Sequence, residues 1–309
     1  MIQNRSKVAV LMAAYNGANF IEEQIRTILN QENVDIVLHV SDDNSNDNTQ
    51  ELVNFFVSNH QRVKLYKNET GTGSGGQNFM QMFRTIDIMD ADYISFADQD
   101  DLWLPKKLFT AIKSIKKTGA SGYSSSVEAF WENGKKSIIS QSSKQKKFDF
   151  LFEGAGQGCT FVITRDLFLT IKKFCNENRD ITDKFYYHDW LTYILCRSHN
   201  KKWFFDRNIS LKYRQHDNND TGSRASFRAV LHRLKLIKSG WYRDQIFVAL
   251  DMSMRIKKNK SDLKRISSLL RKRRTIFNKF SIIFFVLMSS RRKLKDRILI
   301  SISVLFSYI

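Results

Sequence analysis

Proline is almost absent from the 309 residues, Pro105 being the single example. That excludes Pro-rich linkers and stiff spacers. Cysteine is scarce as well. Cys159, Cys175 and Cys196 stand 16 and 21 residues apart, with no Cys-x-x-Cys pair to suggest zinc or dithiol chemistry. An odd number at wide spacing reads as reduced thiols in a cytosolic protein. No signal peptide is expected, because residues 1–7 are polar and the apolar run at 8–14 is short enough for a strand. No apolar run reaches the roughly 20 residues that a spanning helix needs. Acid is missing from one end: residues 223–309 hold 22 Lys and Arg against 4 Asp and Glu, whereas residues 1–222 hold 28 against 27. The net charge of +19 therefore divides into +1 on the body and +18 on the tail.

What is present is enough for a large core. The hydrophobic fraction is 42%, with 24 Phe, and the length allows one large domain or two smaller ones. Residues 7–13 read as a first strand, followed by the turn Ala14-Tyr15-Asn16-Gly17 and a helix with Phe20, Ile21, Ile25, Ile28 and Leu29 at helical spacing. Ile36, Leu38 and Val40 mark a second strand, which empties into the polar run Ser41-Asp42-Asp43-Asn44-Ser45-Asn46-Asp47-Asn48-Thr49 before the next helix. A third strand at 63–66 leads to a glycine-rich loop, Gly71 through Gly76, and a helix carrying Asn78 and Phe79. The loop matches neither the dinucleotide fingerprint nor a P-loop, so flexibility is its simplest meaning. Four strand and helix alternations in about 115 residues make a mostly parallel, doubly wound α/β sheet the economical fold. A hairpin turning at Asn133-Gly134 is expected at 126–140, and a further strand at 159–164.

The chain is organised around Tyr93-Ile94-Ser95-Phe96-Ala97 followed by Asp98-Gln99-Asp100-Asp101. The first part suits a buried parallel strand. The second puts three carboxylates at its exit, whose mutual repulsion must be relieved by solvent, protonation or a cation. Asp-x-Asp oxygens at a strand's carboxyl end suit Mg2+ or Mn2+ holding a diphosphate. Two later clusters also draw notice, Tyr186-Tyr187-His188-Asp189-Trp190 at a helix start and Gln215-His216-Asp217-Asn218-Asn219 after an apolar run.

Taken in order and spacing, Ala14 to Gly17, Ser41 to Thr49, Asp98 to Trp103, Gly158-Cys159, His188-Asp189-Trp190 and Tyr213 to Asn219 resemble the family 2 glycosyltransferases of GT-A fold. Within them the chain is similar to the rhamnosyltransferase-like bacterial subgroup. The resemblance runs from Val8 to about Gly222 and implies a catalytic domain at 1–222. It implies that Tyr15, Asp42, Asp43 and Asn78 line the nucleotide pocket, with either acid at 42 or 43 reading the base. Asp98 would hold the ribose side, Asp100 the metal, and His216 would complete the coordination. Asp189 takes the position of the catalytic base of inverting members, with Asp101, Gly158, Cys159, His188 and Trp190 as supporting or acceptor-side residues. His188 replaces the Glu of the commoner Glu-Asp pattern. The donor implied is a dTDP- or UDP-sugar, and the acceptor a lipid-linked saccharide. His39, His60, His199 and His232 carry no functional expectation.

The tail, 223–309, reads as basic amphipathic helices. Its last two apolar runs, 280–288 and 298–309, are separated by Arg291-Arg292-Lys293 and Lys295, and suit lying on the anionic inner face of a cell membrane. Charge alone would also suit a nucleic-acid-binding protein, but that does not explain carboxylates clustered at strand exits in a neutral body. A sugar nucleotidyltransferase would carry a basic glycine-rich loop after the first strand, and Ala14-Tyr15-Asn16-Gly17 lacks the basic residue.

Overall fold

The computed structural model describes residues 5–141, 144–216, 235–271 and 275–308. Contacts divide the chain into two compact units: Met1–Ser142 with Gly156–Asp189 and Lys201–Gln215, and Ser143–Ala155 with Trp190–Asn200 and His216–Ile309.

The first unit is built on one sheet. Strand β1 (Ser6–Ala14) is apolar on both faces, and it lies at the centre with parallel neighbours β2 (Val34–Asp42) and β4 (Tyr93–Ala97), while β3 (Val63–Lys67) adds to β2. Beyond β4 the sheet becomes mixed. β8 (Val162–Thr164) runs antiparallel to β4 and to β6 (Gly122–Trp131), which pairs in parallel with the long β9 (Trp203–Gln215). The two-residue β5 (Leu102–Trp103) closes the edge against β9, and β7 (Lys136–Ile139) makes the expected hairpin with β6 around Gly134. The strand order is β3-β2-β1-β4-β8-β6-β9-β5. Residues 158–160 form a 3-10 turn, so the strand expected at 159–164 is confined to its last three residues.

Helices cover both faces because successive strand residues point opposite ways. Val8, Val10 and Met12 pack with the apolar stripes of α1 (Ile21–Leu29), α2 (Thr49–Asn59) and α4 (Lys107–Thr118). On the other face α3 (Gly75–Thr85) brings Phe83 against Phe96 of β4, ring centroids 5.2 Å apart, and α5 (Arg165–Glu177) brings Phe168 edge-on to Phe83. Ser74 caps α3 and Thr164 caps α5, each accepting a hydrogen bond from the backbone N–H three residues on. After the short α6 (Arg179–Thr182), helix α7 (His188–Ser198) begins with the His188-Asp189 pair.

Parallel registry sets the functional edge. Ala14 is opposite Asp42, and Met12 is opposite Ala97, so β1, β2 and β4 end side by side. Open α/β sheets bind ligands at that carboxyl edge.

The second unit is helical: α8 (Trp241–Ile256), α9 (Ser261–Arg271), α10 (Ile276–Ser289) and α11 (Leu294–Leu305). Its interior carries ions. Asp149, fully buried, receives Arg197 at 3.0 Å and Arg292 at 3.5 Å, and Glu153 receives Arg292 at 3.5 Å and Arg291 at 3.3 Å. Burial raises the Asp149 pKa in spite of both arginines. Tyr242 donates to the Phe152 carbonyl at 2.5 Å. Among the described residues no helix is long and apolar enough to cross a membrane.

Candidate active site

At the exit of β1, the Tyr15 backbone is held by one side chain. Its N–H donates to Gln99 Oε1 at 2.8 Å, and its carbonyl accepts from Gln99 Nε2 at 2.9 Å. A side chain at Gly17 would put its Cβ 2.2 Å from Gln99 Oε1, so glycine is what lets the bracket close. Gln99 is invisible as a functional residue in the sequence, where it serves only as the spacer of Asp-x-Asp.

The polar run after β2 is stitched to this first loop. Asn16 N–H donates to Ser45 Oγ at 2.9 Å, Asn46 N–H to Asn16 Oδ1 at 2.8 Å, Gly17 N–H to Thr49 Oγ1 at 2.8 Å, and Ala18 N–H to Asp47 Oδ2 at 3.1 Å. Asp42 is fully buried, and its carboxylate accepts from Ser45 N–H at 3.0 Å, Ser45 Oγ at 2.5 Å and Gln50 Nε2 at 2.7 Å. Asp43 reaches the opposite way, accepting from Thr72 N–H at 2.7 Å, Thr72 Oγ1 at 2.9 Å and Asn68 Nδ2 at 3.2 Å. The glycine-rich loop is thereby tied to β2. Asn78 lies beneath, its amide donating to the Ser41 carbonyl at 2.8 Å and accepting from Ser41 Oγ at 2.6 Å. From there Asn78 supports the end of β2 rather than facing outward.

The exit of β4 gathers the acids. One carboxylate oxygen each of Asp98 and Asp101 and the Cys159 Sγ lie within 4.8 Å of one another. Asp101 is fully buried; its Oδ1 accepts from Arg214 N–H at 3.3 Å, and its Oδ2 has no hydrogen-bond partner among the described residues. Burial, then the charges of Asp100 and Asp98, push its pKa well above the usual carboxylate range. Arg214 Nε donates to the Asp100 carbonyl at 2.9 Å, and its guanidinium lies between the Phe20 and Phe130 rings, 4.8 Å from each centroid, with Glu23 at 2.7 Å. An orphaned oxygen among three carboxylates suits a hard divalent cation. Cys159 does not, since burial and the neighbouring acids raise its thiol pKa well above normal. Among the described residues, the carboxylates that come together with Cys159 are those of Asp98 and Asp101. Asp100, expected as the ligand, is buried beside them. His216 directly follows β9, two residues beyond Arg214, and residues 217–219 lie outside the described residues.

Beneath the acids is a buried cation that the sequence does not advertise. Lys107 Nζ donates to Ser95 Oγ at 3.1 Å and sits 3.5 Å from the centroid of the Trp103 ring. Burial lowers its pKa to about 7, against the raising effect of Cys159 and Asp101. The available signal is position: a lysine in the first turn of α4 opposes the helix dipole and needs another reason to be there.

Cys159 connects this corner to the start of α7 through its neighbour Gly158. A Cβ at Gly158 would stand 2.5 Å from His188 Nε2 and 3.4 Å from the Asp189 Cβ. The His188 ring stacks on Phe79, centroids 3.8 Å apart and planes 19° off parallel, with Phe83 and Phe96 at its edges. Burial lowers its pKa to about 3, so the imidazole stays neutral. Asp189, partly exposed, occupies the first helical turn, where the helix dipole favours a carboxylate. Trp190 belongs to the second unit, where Nε1 donates to the Phe150 carbonyl at 2.8 Å and the ring stacks on Tyr242.

Other expectations resolve simply. His39 Nδ1 lies 3.0 Å from the Tyr66 hydroxyl and His60 stacks on Phe56, while His232 lies outside the described residues. All three cysteines are buried free thiols.

Comparison with known proteins bears on family and fold. Residues 9–179 match the family model described as glycosyl transferase family 2. The chain is 38% identical over 236 residues, 76% of its length, to the dTDP-rhamnosyl transferase RfbG of Shigella flexneri, covering 82% of that protein. It is 30% identical over 163 residues to the UDP-Glc:alpha-D-GlcNAc-diphosphoundecaprenol beta-1,3-glucosyltransferase WfgD of Escherichia coli, covering 52% of this chain and 61% of that one. Among solved structures, S. aureus TarS 1-349 in complex with UDP-GlcNAc superposes with a TM-score of 0.59 at 15% identity, covering 98% of this chain and 80% of that one. The mannosyltransferase PcManGT from Pyrobaculum calidifontis, in complex with GDP-Man and Mn2+, gives 0.50 at 14% identity over 99% and 88%. These structural likenesses establish the fold, which is of GT-A type, and the family match establishes the rest: the chain belongs to glycosyl transferase family 2.

Proposed function

We propose that this family 2 glycosyltransferase is inverting and metal-dependent. In this reading it moves a sugar from a nucleoside-diphosphate donor to a lipid-linked saccharide in cell-surface polysaccharide synthesis. A dTDP-sugar, rhamnose foremost, is favoured as donor by the name of the relative aligned over 76% of the chain, with UDP-hexoses next. The lipid carrier rests on the diphosphoundecaprenol in the second relative's name. Residues 1–222 would carry the chemistry and residues 223–309 the attachment to the cytoplasmic face of the membrane. Each Lys or Arg near an anionic surface contributes about 1 kcal/mol to such attachment.

The observation that supports this mechanism best is the chain of contacts from Asp98 and Asp101 through Cys159 and Gly158 to Asp189. Tyr15 would meet the nucleotide together with Asp42 or Asp43, two buried carboxylates that each accept three hydrogen bonds. Asp98 would hold the ribose side. Asp100, with His216 as second ligand, would hold Mg2+ or Mn2+. A bound ion supplies positive charge against the departing diphosphate. Asp189 removes the acceptor hydroxyl's proton, that oxygen bonds to the anomeric carbon, and the bond to the diphosphate breaks on the opposite side. General base assistance is typically worth about 10² to 10⁴ in rate. Neutral His188, wedged against Phe79, would fix the start of α7 rather than exchange protons.

Thermal shift with dTDP- and UDP-sugars, in Mn2+ and in chelator, tests donor and cation together. Stabilisation by one donor only when metal is present is expected. In the same assay Asp189→Asn keeps that shift while transfer falls by at least about 10²-fold. Near wild-type turnover would remove Asp189 from the role.

A further inference from the structure

Helices α10 and α11 form an antiparallel pair. Lys279 Nζ, near the start of α10, donates to the Leu305 carbonyl at 2.6 Å, and Arg297, near the start of α11, donates to the Leu287 carbonyl. Each helix buries a narrow stripe, Ile282 and Val286 in α10 and Ile300 and Val304 in α11. The opposite stripes are also apolar, and they are bare. In α10 they are Phe277 at 81% exposure, Phe280, Phe284 at 70% and Met288; in α11, Leu294, Ile298, Ile302 and Leu305. Spacings of three and four residues keep each set on one helix face. Exposed apolar surface on this scale marks an interaction site.

Charge decides what covers it. Arg271-Lys272-Arg273-Arg274 precedes α10 in sequence, Lys293 and Lys295 flank the turn between the helices while Arg291 and Arg292 are engaged by Glu153 and Asp149, and Asp296 is the one acid in residues 275–309. Asp296 is taken by Arg291 at 3.8 Å. Two such surfaces on two copies of the chain repel, whereas an anionic lipid surface attracts them. Length decides the depth. The 14 residues of α10 extend about 21 Å, short of the roughly 30 Å hydrocarbon core, so the helix lies in the interface instead of crossing it.

The geometry points to α10 and α11 as a hairpin that lays its bare apolar faces into the surface of an anionic bilayer. This deepens the membrane attachment proposed above and rests on it: basic residues bring the chain to the surface, and the hairpin holds it there by insertion. Attachment by charge alone disappears at high salt, and insertion does not.

The test uses the full chain and vesicles of phosphatidylcholine with and without 30% phosphatidylglycerol. Wild type is expected to sediment with the anionic vesicles and to stay largely bound when salt is raised to 0.5 M after binding. The variant Phe277→Asp, Phe280→Asp, Phe284→Asp is expected to bind at least 10-fold more weakly, with unchanged circular dichroism. A Phe280→Trp variant gives a reading independent of folding loss, since its fluorescence should shift to the blue and be quenched by brominated lipid. Equal binding by wild type and the triple variant would overturn insertion while leaving charge-driven attachment standing. So would a vesicle-bound Phe280→Trp protein whose added indole still emits as in water and escapes the quencher. Absence of wild-type binding to either vesicle would overturn attachment and insertion together. A wild-type dimer that the triple variant turns into monomer, with lipid binding unchanged, would assign the face to a second copy.

Discussion

A methyl group at position 158 would stand 2.5 Å from His188 Nε2, closer than any real contact, and would push the start of α7 away from the acidic corner. A displacement of about 1 Å of a catalytic group costs on the order of 10²-fold in rate. Gly158→Ala is therefore expected to lower kcat by about that factor with little change in donor binding, and to cost roughly 1–3 kcal/mol of stability from overpacking. Steady-state kinetics beside urea unfolding checks both, and an unchanged kcat would sink the positioning argument. At this scale the sequence is informative where charge is conspicuous. Asp98, Asp100 and Asp101 stand out because like charges crowded at a strand end repel one another, and Asp189 because it falls on the motif of the resembling family. Lys107 and Gln99 do not, because their importance lies in what they touch: Lys107 lies over Trp103, and Gln99 brackets Tyr15. Asn78, expected in the nucleotide pocket from the resemblance, also bonds Ser41 at the end of β2, a contact that no local pattern shows.

The elements that carry the site are the ones periodicity reads well. β1 to β4 and α1 to α4 alternate locally, and parallel pairing of β1 with β2 and β4 brings their exits together without further information. The far half of the sheet is harder. β8 pairs with β4 across 66 residues or more, β5 has only two residues, and β9 runs for 13 where only its end is apparent, so their partners depend on packing that no local pattern encodes. The edge loops act as elements too. Gln99 joins the exit of β4 to that of β1 through two hydrogen bonds, and Gln99→Ala loosens the Tyr15 backbone in the absence of donor while the bonds of Asn16, Gly17 and Ala18 remain. Ordering that loop then falls to the donor, so KM for donor should rise about 3- to 30-fold, with kcat nearly constant. The arithmetic is about 1 kcal/mol for each lost hydrogen bond. A fall in kcat at unchanged KM would place Gln99 in the chemical step instead.

For the molecule as a whole, the separation of +1 from +18 is plain in composition, but the make-up of the second unit is not. It draws on Ser143–Ala155 and Trp190–Asn200 as well as on the tail, since burial of Asp149 and Glu153 requires the arginines at 291 and 292. Removing one partner of a buried ion cluster costs roughly 3–5 kcal/mol. Arg292→Met is accordingly expected to melt this unit well before the wild-type protein does, read as a lowered midpoint in urea, and an unchanged midpoint would show the ions to be incidental. The same cluster bears on any attempt to trim the protein. Cutting after residue 222 removes the basic helices yet leaves behind two stretches whose acids and aromatic side chains were made to be covered by them. Stripped of Arg292, Arg291 and Tyr242, that remnant would present raw carboxylates and phenylalanines to water, a surface that invites clumping and quality-control proteases. Labour can be shared between the front and back of this chain, but neither share was written to be detached.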